Sequence, residues 1–154
     1  MSTIVLTLLF VLEPGASGRP AFLSATSTPP TIDWPQFFSS VSTHGLVYSD
    51  RLKALEGRRV RLRGYSIARP TIPEGILLTR IPFVESDPHA DEDDLDIPYD
   101  AVGVIWRAGL AIPPVPQRPT VEGILRLGNH AIGSQRVAIL LEDAAPVLPA
   151  SAKR

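Results

Sequence analysis

Residues 58–65 read Arg-Arg-Val-Arg-Leu-Arg-Gly-Tyr. Alternation this strict suits a β-strand, because every second side chain of a strand shares a face. Val60 and Leu62 point one way, and Arg59, Arg61, Arg63 and Tyr65 point the other. Gly64 sits within this stretch, where a glycine lets a strand bend sharply, as small barrels do at their corners. Just upstream, Ser49-Asp50 can cap a short helix over 51–55 that Gly57 ends. The whole stretch reads as the first strand of a small β-barrel, led in by one helical turn.

Four further strand patterns follow the first, which spans 58–68. The second covers 75–83, with Leu77, Thr79 and Ile81 on one face and Ile76, Leu78 and Arg80 on the other. The third covers 101–107, with Val102, Val104 and Trp106 inward. The fourth, 120–127, points Val121, Gly123, Leu125 and Leu127 inward, and the fifth is 136–142. Gly64, Gly103 and Gly123 inside these patterns suit tightly coiled strands. No long helical pattern is present. The expected fold is mainly β: a small five-stranded OB-like barrel with a short helix before strand one. Trp34, Phe37 and Phe38 are expected to plug one end, and 39–48 to form a loop. Long connections are expected over 84–99 and 108–119, the second stiffened by Pro113, Pro114, Pro116 and Pro119.

A chain of 154 residues fits one folded domain. Residues 4–12, IVLTLLFVL, form an apolar run too short to span a bilayer and suited to the core of a secretory leader, although no Lys or Arg precedes it. The expected division is a signal peptide over 1–25, a linker over 26–33, the barrel domain over 34–148 and a tail over 149–154. Residues 16–18 or 23–25 offer the small side chains that a cleavage site needs. The expected location is periplasmic or secreted, with no transmembrane anchor after cleavage. The sequence holds no cysteine, so disulfides, thiol nucleophiles and zinc–thiolate sites are excluded.

Gly57, Val60, Gly64 and Tyr65 of the first strand motif, Trp34 upstream, and the later run Ile-Pro-Pro-Val-Pro-Gln-x-Pro-x-Val-x-Gly over 112–123 occur in a set order. In these features the chain resembles a family of exported bacterial proteins of unknown function with an OB-like domain. The resemblance spans residues 33–145. It implies a periplasmic or surface location and supplies no reaction. That family usually carries a Cys and a His just before the proline run, where this chain has Gly-Leu-Ala-Ile at 109–112. A metal or redox role tied to that Cys does not carry over.

Four features bear on chemistry. Arg59, Arg61, Arg63 and Tyr65 share a strand face, and basic faces with stacking aromatics serve single-stranded nucleic acids. Against that use, the chain carries 15 basic and 16 acidic residues, without the net positive charge of a nucleic-acid binder. Residues 85–100 hold eight carboxylates and His89, in no calcium-loop spacing, so a solvated loop is expected there and no metal site. Attraction between that loop and the arginine face is expected. The three histidines, His44, His89 and His130, form no catalytic or metal-binding motif. Pro113, Pro114 and Pro116 should hold an extended polyproline strip, a docking site for a partner or a rigid crossover.

The reading that these features support is a non-enzymatic binding or scaffold protein of the cell envelope, using no cofactor. Its partner would be an envelope protein or a small ligand. The alternatives are a nucleic-acid-binding OB module and a divalent-metal-binding periplasmic protein.

Overall fold

A computed structural model describes residues 28–43, 45–67, 72–84, 96–111 and 114–148. The expected leader, the tail, His44, His89, Pro113 and the acidic residues 85–95 lie outside the described residues. Within them the chain is mainly β, with one short helix and a single 3-10 turn at Trp34–Gln36.

The helix α1 (Asp50–Lys53) forms where the sequence signals place it. The Ser49 hydroxyl accepts the N–H of Leu52, and Gly57 follows with φ of +73°, a conformation glycine adopts freely. Leu52 is the residue this turn buries.

Residues expected to form a loop instead make a hairpin. Strand β1 (Phe38–Ser42) pairs antiparallel with β2 (Gly45–Tyr48). Its serines face solvent, so no apolar alternation marks it in the sequence. Gly45 supplies the turn with φ of +119°, and the rings of Phe38 and Tyr48 stack at 5.6 Å across the pair.

The main sheet has six strands: β3 (Arg59–Arg63), β4 (Tyr65–Ile67), β5 (Gly75–Thr79), β6 (Val102–Trp106), β7 (Thr120–Ile132) and β8 (Gln135–Pro146). Their spatial order is β3-β7-β8-β6-β5-β4, antiparallel throughout except for the parallel pair β6 and β8. The count is six where five were expected, because Gly64 divides the first strand into β3 and β4. Those two halves stand at opposite ends of the strand order, one residue apart in the chain. Gly64 is required here by close approach: a Cβ on it would lie 2.8 Å from Trp34 Cζ2 and 3.0 Å from the Thr79 carbonyl oxygen. The Trp34 indole N–H donates to the Arg63 carbonyl at 2.7 Å, which fixes the bend.

Strands β7 and β8 run well past their expected ends and meet in a tight turn at Gly133. Their extensions contain Gly128, Asn129 and Pro146, residues that weaken a strand signal. Two register irregularities, at 122–124 and 127–130, let the long pair bend.

The core lies on both faces of the sheet. Phe37, Val60, Leu62, Leu78, Val104, Leu125 and Leu141 belong to one buried cluster, and Ile67, Leu77, Ile132, Val137 and Leu140 to a second. Consecutive residues Leu77 and Leu78, and Leu140 and Leu141, therefore serve opposite faces. Strands covered twice lose the apolar–polar alternation. Ile81 falls beyond β5 and is exposed. Trp106, expected inside with Val102 and Val104, is only half-buried, since the register shifts between Val104 and Trp106. Of the three lead-in aromatics, Phe37 is fully buried, while Trp34 and Phe38 pack against its cluster from the side.

Candidate functional site

The arginine face of β3 is mostly neutralised by its own sheet. Arg61 donates to Glu122 at 3.0 Å, directly across the β3–β7 ladder. Arg59 pairs with the Asp143 carboxylate on β8 and also donates to the Asp143 carbonyl at 3.1 Å. Arg107 holds the same carboxylate at both oxygens, Nε to Oδ1 at 2.8 Å and Nη2 to Oδ2 at 3.2 Å. The Arg107 guanidinium first, and Arg59 second, hold the Asp143 carboxyl below its ordinary value of 3.8. Arg126 donates to Glu142 at 2.8 Å. Among the described residues, the carboxylates that meet Arg59 and Arg61 thus come from β7 and β8. Of the described part of the acidic connection, Asp100 lies 3.9 Å from Arg80.

Arg63 and Tyr65 behave differently. They flank the Gly64 bend, and neither shares in the carboxylate network. Among the described residues, the guanidinium of Arg63 has no carboxylate partner, and neither does that of Arg118. Arg118 instead lies over the Tyr65 ring, its guanidinium carbon 4.9 Å from the centroid.

What positions Arg118 is the proline strip. The Gly64 N–H donates to the Pro119 carbonyl at 3.2 Å, and the Ser66 N–H to that of Gln117 at 2.9 Å. The Ser66 hydroxyl adds bonds of 3.3 Å to the carbonyls of Pro116 and Gln117. These bonds carry the β3–β7 pairing past the bend and onto β4. The strip is therefore built into the sheet's margin. Pro114 and Pro116 remain exposed.

Between the strip and the end of β8 lies a cavity of about 380 Å³. Arg63 and Thr120 belong to it, with residues 114–116 and 118–119 along the strip, Pro146 at the end of β8 and residues 147–148 just beyond it. The Val147 N–H donates to the Thr120 carbonyl at 2.8 Å, which holds the β8 end beside β7. The groove so formed combines apolar walls with two cations.

The structure thus brings Arg63, Pro114 and Pro116 together at one groove, with Tyr65 beneath Arg118, and leaves Arg59 and Arg61 in ion pairs. Reasoning from sequence missed Arg118, Val147 and Leu148. One signal was available: Arg118 is the sole charged residue of 108–119, and a cation on a stiff strip is pre-positioned. Nothing local marks 146–148. His130 sits half-buried on β7, and its Nε2 has no hydrogen-bond partner among the described residues. Among the described residues no three His, Asp or Glu side chains gather around a possible metal position, and no helix is long and apolar enough to cross a membrane.

No family model and no curated protein matches the chain. Among solved structures it is similar to that of a DUF3299 family protein from Pseudomonas aeruginosa PAO1, at 16% identity over 80% of this chain and 99% of that one, with a TM-score of 0.49. A likeness at that level transfers no function.

Proposed function

We propose that this chain is a non-enzymatic binding protein of the cell envelope, exported behind a cleaved leader, and that its ligand site is the groove between Arg63 and Arg118. The observation that carries the reading is a contrast among arginines. Arg59, Arg61, Arg107 and Arg126 each have a carboxylate, whereas among the described residues Arg51, Arg58, Arg63, Arg118 and Arg136 have none, and of these Arg63 and Arg118 are the two that converge on the groove. A groove with two open cations attracts an anion, and desolvating apolar walls strengthen that attraction. The frame in this reading is an OB-like barrel. It is supported by the passage of β3 into β4 through Gly64, and by the bonds from Gly64 and Ser66 to the strip that leads into β7.

The nucleic-acid reading is weaker, because Arg59 and Arg61, the inner members of the basic face, are already neutralised by Asp143 and Glu122.

The test is a chemical-shift titration of the folded domain with butyrate, a short carboxylate. Saturable shifts confined to 63–66, 114–120 and 146–148, and lost in the Arg63→Ala/Arg118→Ala variant, are expected. Unsaturable shifts spread over all the arginines would refute the site.

A further inference from the structure

Four residues of the Arg63–Arg118 groove are prolines: Pro114, Pro116, Pro119 and Pro146. A proline has no backbone N–H to donate. The N–H of Val147, beside them, is already spent on the Thr120 carbonyl. A peptide laid in this groove would carry carbonyls needing donors, and these walls supply very few of them. An alkyl chain makes no such demand. It asks only for apolar contact, which the proline rings, Val115, Val147 and Leu148 provide. The polar groups that converge on the groove are cations, Arg63 on the strand side and Arg118 on the strip side. Arg118 is further held in place by the Tyr65 ring.

We infer that the ligand is a single-chain amphiphile with an anionic head: a long-chain carboxylate whose head meets Arg63 and Arg118 and whose alkyl chain lies along the proline wall. This rests on the reading of the groove as an anion site and specifies what the anion carries. Charge complementarity selects the head, and the missing N–H donors select an acyl chain over a peptide.

The experiment is calorimetric titration of the full chain with butyrate, octanoate and dodecanoate, each below its micelle-forming concentration. Dodecanol and an N-acetylated tripeptide with a free carboxyl terminus complete the series. Each methylene that becomes buried should tighten binding by about fourfold. Affinity should therefore climb from butyrate to dodecanoate by well over about tenfold. Dodecanol should bind far more weakly than dodecanoate. Leu148→Ser and Val115→Ser, uncharged changes on the groove walls, should weaken dodecanoate far more than butyrate and so flatten the chain-length dependence. A flat series with arginine-dependent binding of butyrate would overturn the acyl chain and keep the anion groove. A tripeptide that outbinds dodecanoate would overturn it in favour of a peptide. Absence of arginine-dependent binding by every probe would remove the inference and the site together.

Discussion

The guanidinium of Arg118 lies over the ring of Tyr65, 4.9 Å from its centroid, across the margin where the proline strip joins β4. Tyr65 was legible in the sequence as the aromatic at the end of a basic strand. Its partner was not, since the two are brought together only by the bonds from Gly64 and Ser66 to the strip. A cation held over an aromatic face gains about 0.5–1 kcal/mol at an exposed site.

Replacing Tyr65 with Leu should therefore loosen Arg118 without unfolding the domain. Affinity for a carboxylate probe should fall by about twofold to fivefold, the equivalent of that energy. Calorimetry reads the affinity, and a thermal melt within a few degrees of the intact protein shows that the fold is kept.

The glycines at close backbone approaches give a graded series. A Cβ at Gly75 would run into the Val104 carbonyl oxygen on the neighbouring strand, a backbone atom that cannot swing aside. At Gly64 it would meet the Trp34 ring edge at 2.8 Å and the Thr79 carbonyl at 3.0 Å. Both Gly→Ala changes should destabilise, Gly64→Ala by about 1–3 kcal/mol and Gly75→Ala by more. Urea unfolding midpoints measure both, and a harmless Gly75→Ala would contradict the β5–β6 register.

The Asp143 carboxylate gives a pH dependence of known sign. Arg107 and Arg59 depress its pKa below the ordinary 3.8. A depressed carboxylate stabilises the fold fully above the unfolded value, and the contribution is lost as pH falls through the folded one. Asp143 also has φ of +48°, which Asn tolerates nearly as well as Asp, so Asp143→Asn isolates the charge. Asp143→Asn should be less stable than the intact protein at pH 7. The gap should close as pH drops below 3.8. The gap should also narrow with added salt, because the pair is solvent-exposed. Denaturant midpoints across pH 2–7 check both statements.

How much was legible follows from where each signal lay. The Val60 and Leu62 alternation located β3 and two members of the core, because a strand buried on one face leaves a period of two. Gly64 announced the bend for a local reason, since only glycine fits beneath Trp34 there. The hairpin at 38–48 was missed because its exposed serines carry no apolar alternation. The inward placement of Trp106 failed by one irregular step of register, which no pattern of residue types encodes. Arg59 and Arg61 looked free in the sequence because their carboxylates, Asp143 and Glu122, lie on strands far along the chain. The groove was half legible. Arg63, Pro114 and Pro116 were singled out, while residues 146–148, which close it, looked like the end of a domain.

The most direct test of the groove as the ligand site removes equal charge from two places. Arg63→Ala/Arg118→Ala takes both cations from the groove, while Arg51→Ala/Arg58→Ala takes two exposed cations from outside it. Both variants lower the net charge by the same amount, so long-range attraction falls alike. The dissociation constant for dodecanoate should rise by at least about tenfold in the first variant, the loss of about 1.4 kcal/mol of charge-assisted contact, and stay within about twofold in the second. Equal weakening in the two variants would mean that the anion responds to overall charge, and would contradict a site between Arg63 and Arg118.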